Sequence, residues 1–163
     1  MDTLRSLSRK LGPFGLTALR VVVGIIMAVH GWLKLADYDG WVWLLGDFGV
    51  PFPSYFAPLS VAAELGGGLC LLFGFLTPLA AAAVLANLLT AIFLVHAQNG
   101  LLARDGGFEY PLTLAATAFF FMLRGAGPVS LDHALFGGRR EEKEEPDEKH
   151  GRTRSPWGRE AHV

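Results

Sequence analysis

The sequence predicts an all-α integral membrane protein, a four-helix transmembrane bundle with both termini in the cytoplasm. Three observations carry this. Residues Leu65 to Ala103 hold no Asp, Glu, Lys or Arg, and a proline-bearing turn at Gly74-Phe75-Leu76-Thr77-Pro78 divides that run into a hairpin. Hydrophobic residues make up 52% of the chain although its end is almost wholly polar, so the apolar content is concentrated in the spans. Basic residues gather at both ends: Arg5, Arg9 and Lys10 before the first span, Arg124, Arg139 and Arg140 after the last.

Residues 1–16 read as a cytoplasmic flank, 17–136 as the membrane domain and 137–163 as a tail. The first span, about 17–36, carries Arg20 and Lys34 near its ends, where both are expected to snorkel toward the headgroups. No small-residue cleavage site follows it, so it should stay in the chain as an anchor. The second, about 57–75, contains a single carboxylate, Glu64. The third, about 78–98, starts with Pro78 in its first turn, where a missing N–H costs nothing. The fourth, about 108–124, is just short of a full crossing, and snorkelling of Arg124 would complete it.

Between the first two spans lies "DYDGWVWLLGDFGVPFPSYF", too polar to cross and rich in aromatics. It is expected to lie along the outer interface or fold back over the bundle. The tail, with "RREEKEEPDEKHGRTR", cannot bury enough apolar surface to fold and should be a disordered cytoplasmic extension.

At 1.5 Å per residue, this topology brings His30, Lys34, Glu64, His96 and Glu109 to the outer half of the membrane. An ionised Glu64 at that depth must be paired, protonated or water-exposed, and Lys34 is the reachable partner. Two readings stay open: an outward-opening polar pocket in which Glu64 and His30 bind a head group or relay a proton, and a structural Lys34–Glu64 pair that sets helix register. Asn87 sits mid-membrane in the third span and suits an interhelical hydrogen bond or a ligand contact. Arg20, Gly24, Met27, Gly31 and Lys34 share one face, as do Ser60, Glu64, Gly67, Leu71 and Gly74, so the first two spans should pack closely. For Gly66-Gly67-Gly68 a steric role is preferred to a bend.

The single cysteine, Cys70, excludes an internal dithiol relay. The histidines lack close metal-ligand spacing, so no metal site is assigned, and no phosphate loop, nucleophile elbow or dinucleotide fingerprint occurs. No intrinsic cofactor and no nucleic-acid partner is expected. A redox role would need a quinone or a partner that carries the cofactor.

The blocks "LRVVVGIIMAVHGWLKL", "GVPFP", "AELGGGLCLLFGFLTPLAA" and "GAGPVSLDHALFG" occur in an order that resembles the DoxX family of small bacterial inner-membrane proteins, over about Leu16 to Gly137. The resemblance implies a four-span bundle with cytoplasmic termini. Its motif positions fall on Arg20, Gly24, His30, Gly31, Lys34, Pro51, Glu64, Gly67, Gly74, Glu109, Gly125, Gly127 and Asp132. Asp132 is expected to cap a short cytoplasmic helix begun by Ser130. The resemblance further implies association with redox, sulfur or thiol-stress systems, as an oxidoreductase subunit beside a partner enzyme; a homodimer is the other partner weighed, since four spans are few for a carrier. A proton-coupled small-solute transporter and a non-catalytic scaffold for other membrane proteins are the alternatives.

Overall fold

A computed structural model describes the backbone of residues 2–136 and the side chains of residues 11–136. The expected disordered tail lies outside the described residues. Among them the fold is all-α: α1 (Asp2–Ala36), α2 (Tyr38–Asp47), α3 (Pro53–Phe73), α4 (Thr77–Asn99), α5 (Glu109–Arg124) and α6 (Leu131–Phe136).

Three helical stretches are long and apolar enough to cross a membrane: Leu11–Ala36, Pro53–Phe73 and Thr77–Asn99. Helix α1 does not begin at the predicted span boundary. It runs through Pro13 into the N-terminal flank, and Thr17 returns its hydroxyl to the Pro13 carbonyl at 2.9 Å. Helix α5 has 16 residues, about 24 Å at 1.5 Å per residue, and packs along α4. The connection after α1 contains a helix, α2, capped by Asp37, whose carboxylate accepts from the Gly40 N–H. Leu45 on α2 is buried with Val50 and Ala57, so this helix folds back onto the start of α3.

Small residues bring α1 and α3 together. A Cβ built at Gly24 would stand 2.5 Å from the Leu72 nitrogen, one at Gly31 would overlap the Leu65 backbone, and one at Gly68 would overlap the Ala28 backbone. Without a hydrophobic drive between helices in lipid, such close approach is the main source of packing energy. Gly67 is likewise filled by Val84 Cγ2, whereas a Cβ at Gly66 would meet nothing within 4 Å. The steric reading of the triple glycine therefore holds for its second and third members. Around this contact Met27, Leu71, Val84, Leu88, Ala118 and Phe121 form the central core.

At the α3–α4 turn the structure corrects two expectations. Arg20 does not snorkel. It is 2% exposed and donates from Nη1 to the Leu71 and Leu72 carbonyls (2.7 and 3.3 Å) and from Nη2 to the Val129 carbonyl (2.7 Å). Carbonyls at the end of α3 have no partner inside the helix and carry the negative end of its dipole, so they offer a cation a better site than the headgroups. Asp132 does not cap its own helix, because Ser130 already does so, accepting from the His133 N–H at 3.1 Å. Its carboxylate instead takes the Leu76 and Thr77 N–H groups at 2.7 and 2.9 Å, at the start of α4. Leu76 adopts φ +46°, a strained left-handed conformation for a leucine, and the two bonds hold it there. Replacing Asp132 by alanine is expected to cost about 1–2 kcal/mol through loss of this cap. Thermal unfolding in lipid discs reads the loss, and an unchanged midpoint would show that the cap contributes nothing.

Candidate functional site

Glu64 lies 11 residues into α3, in a π-helical turn spanning Ala62–Gly66. Such turns insert one extra residue into the helix and recur at functional sites. The carboxylate points between α1 and α4 and its side chain is 5% exposed. Lys34 Nζ pairs with Oε1 at 2.5 Å, and Asn87 Nδ2 from α4 donates to the same oxygen at 2.8 Å. Three helices are thus tied at one atom. Oε2 is buried and has no hydrogen-bond partner among the described residues.

Lys34 is itself held from above. Its ammonium stands 4.2 Å from the centre of the Trp41 ring, close enough for a cation–π attraction. Trp41 Nε1 donates to Ser60 Oγ at 2.9 Å, and that hydroxyl donates to the Ala57 carbonyl at 3.0 Å. Helix α2 is therefore pinned to α3 through the same cluster that contains the ion pair.

Beside the cluster is a cavity of about 530 Å³, within the range of ordinary ligand sites. Lys34, Trp41, Ser60, Asn87 and Thr90 supply its polar atoms, and Leu45, Val50, Pro51, Phe56, Leu59, Leu94, Val95 and four alanines supply the rest. Two of the polar groups facing it keep free N–H donors, the Lys34 ammonium and the Asn87 amide, whereas the Ser60 and Thr90 hydroxyls donate to the Ala57 and Ala86 carbonyls. Glu64 lies behind them, neutralising Lys34. The arrangement can receive hydrogen-bond acceptors or a partial negative charge at one end and apolar surface along the remainder.

The five residues predicted to converge do not form one cluster. Lys34 and Glu64 join directly, and Asn87, placed mid-membrane by the sequence, completes the group with an interhelical bond. His30 is exposed on another side of α1, its nearest aromatic partner the Tyr110 ring at 6.4 Å. His96 Nδ1 meets the Gly106 carbonyl at 2.7 Å, and Glu109 Oε1 accepts from the Ala103 N–H at 2.6 Å, so both organise the loop between α4 and α5. None of these three lines the cavity. Trp41 and Thr90 were not singled out by the sequence. Trp41 stood among seven aromatics in a polar connection, and an amphipathic α2 was the signal that could have aimed it inward.

Comparison with known proteins gives concordant matches. The DoxX family model matches residues 15–97, a stretch holding Arg20, Lys34, Glu64 and Asn87. "Inner membrane protein YqjF" of Escherichia coli (strain K12) is 31% identical over 127 residues, covering 78% of this chain and 96% of that protein. "Putative oxidoreductase CatD" of Bacillus subtilis (strain 168) is 31% identical over 126 residues, 77% of this chain and 90% of the other. "Inner membrane protein YphA" of Escherichia coli (strain K12) is 27% identical, over 74% and 89% respectively. No solved structure matches significantly.

Proposed function

The chain belongs to the DoxX family, and on that premise we propose that it is a multi-pass bacterial inner-membrane component of a redox system. In this reading the cavity between α2, α3 and α4 takes the head of a small redox-active ligand, a quinone or a sulfur compound. The carrying observation is the cluster at its edge: a lysine ammonium and an asparagine amide that face the cavity while a buried carboxylate balances the charge. A carbonyl or other acceptor oxygen placed there would accept from Lys34 Nζ and Asn87 Nδ2 in a medium of low dielectric, where such bonds are strong. The name of the Bacillus relative agrees with the redox reading.

In this reading helix α5 is a fourth span, supported by its roughly 24 Å and by Arg124 at one end, and the basic flanks support cytoplasmic termini. In this reading the cavity lies in the outer half of the membrane. Electrons reach the bound head from a cofactor-bearing partner subunit.

Mass spectrometry of small molecules retained by the protein in native lipid discs tests the assignment. Wild type is expected to retain a quinone or a sulfur metabolite, and Lys34→Gln to retain less than a tenth as much while keeping its helical circular dichroism. A wild-type sample free of both classes would refute the redox assignment.

A further inference from the structure

The cavity has an apolar side that opens along the protein surface. On α3, Phe56 and Leu59 are 44% and 63% exposed, and on α4 the lining residues Ala83, Ala86 and Thr90 are exposed as well. All five lie within the stretches Pro53–Phe73 and Thr77–Asn99, so the medium they meet is hydrocarbon rather than water. Inside the Glu64 level the two helices close, with Gly67 against Val84. Beyond it Pro53–Val61 makes little contact with α4, and the facing residues Ala63, Ala83 and Ala86 are too small to fill the gap.

The result is a cleft between α3 and α4 with the donor cluster at its inner end. An aqueous metabolite would have to cross the α2 cover, where Leu45, Val50 and Trp41 form the wall. We propose that the cavity is filled from the bilayer: its ligand is a long-chain amphiphile that slides in between α3 and α4, places its acceptor oxygens on Lys34 and Asn87, and leaves its chain along the alanine-lined cleft. This rests on the cavity being a ligand site, as above, but not on the ligand being redox-active.

Trp41 reports on the cleft directly. In a variant with Trp32, Trp43 and Trp157 replaced by phenylalanine, discs made with brominated-chain phosphatidylcholine are expected to quench Trp41 at least twofold relative to unbrominated lipid. Dodecanoate, which combines a chain with acceptor oxygens and does not itself quench, should restore the emission, and should fail to do so in Lys34→Gln. Ala86→Phe, placed on an exposed face, fills the cleft without disturbing the core and should abolish most of the quenching.

Emission that brominated lipid leaves unchanged but aqueous acrylamide quenches would overturn lateral entry and leave the redox assignment standing. Quenching that dodecanoate cannot relieve would reduce the cleft to an ordinary lipid boundary and also overturn the proposal. Quenching with lysine-dependent relief, in a protein that retains no quinone or sulfur compound, supports lateral entry while the redox assignment fails.

Discussion

Lys34→Met is expected to destabilise the protein by about 3–5 kcal/mol, because it strands a buried carboxylate that keeps only Asn87 as a partner. Glu64→Leu should cost less, since Lys34 is 19% exposed and its flexible stem can carry the ammonium toward the headgroups. The double variant Lys34→Met/Glu64→Leu should regain most of the lost stability, as apolar replacements of buried ion pairs commonly do. Unfolding midpoints of the four proteins in lipid discs measure the coupling. Ligand retention by the same four separates the two readings that the sequence left open. A purely structural pair predicts that the double variant behaves as wild type in every assay. A binding cluster predicts a stable protein that has lost its ligand. Two single variants as stable as wild type would show that the pair contributes nothing to stability.

Substitution of Gly31 or Gly68 by alanine is expected to cost about 3 kcal/mol each, at the upper end for an overpacked site. At both positions the added carbon meets backbone atoms of the facing helix, which cannot rotate away as a side chain can. Helix α1 must then move off α3 as a body. Gly66→Ala provides the contrast within the same triplet. Its added carbon meets nothing, so removal of a flexible glycine from the helix should be neutral or stabilising by about 0.5 kcal/mol. Because Lys34 and Glu64 sit on the two helices that separate, Gly31→Ala should also weaken ligand retention without altering any group that lines the cavity. Equal stability of Gly66→Ala and Gly68→Ala would refute the steric account.

What the sequence showed and what it hid can be traced to particular side chains. The apolar stretches stood out by composition, and the two glycine-bearing faces by their three- and four-residue steps. The Lys34–Glu64 pair followed from charge alone, since a carboxylate inside an apolar span needs a partner and only one lysine was in reach. His30 was grouped with Lys34 because residues four apart share a helix face. That face is broad, however, and its two edges meet different neighbours, α5 near His30 and α3 near Lys34. Arg20 was read as a headgroup anchor because the acceptors it binds are main-chain carbonyls, which carry no sequence signature. The π turn around Glu64 is equally silent, since an inserted residue leaves the apolar pattern of a buried helix unbroken. Asp132 was read as the cap of its own short helix, whereas the N–H groups it takes belong to a helix that starts 55 residues earlier.

That cap and the Arg20 contacts bear on the order in which the protein is made. The turn between α3 and α4 is closed by groups from both ends of the described chain: Arg20 bonds Val129 across 109 positions, and Asp132 bonds Leu76 across 56. Until Asp132 has reached the turn, the Leu76 and Thr77 N–H groups have only water or headgroups to satisfy them. The hairpin must therefore keep that end at the interface until α6 has folded against it. Closure of the turn is thus a late event of biogenesis, and a chain cut after Arg124 and before Val129 would keep α1 to α5 but lack the Val129 carbonyl and the Asp132 carboxylate that fasten the turn.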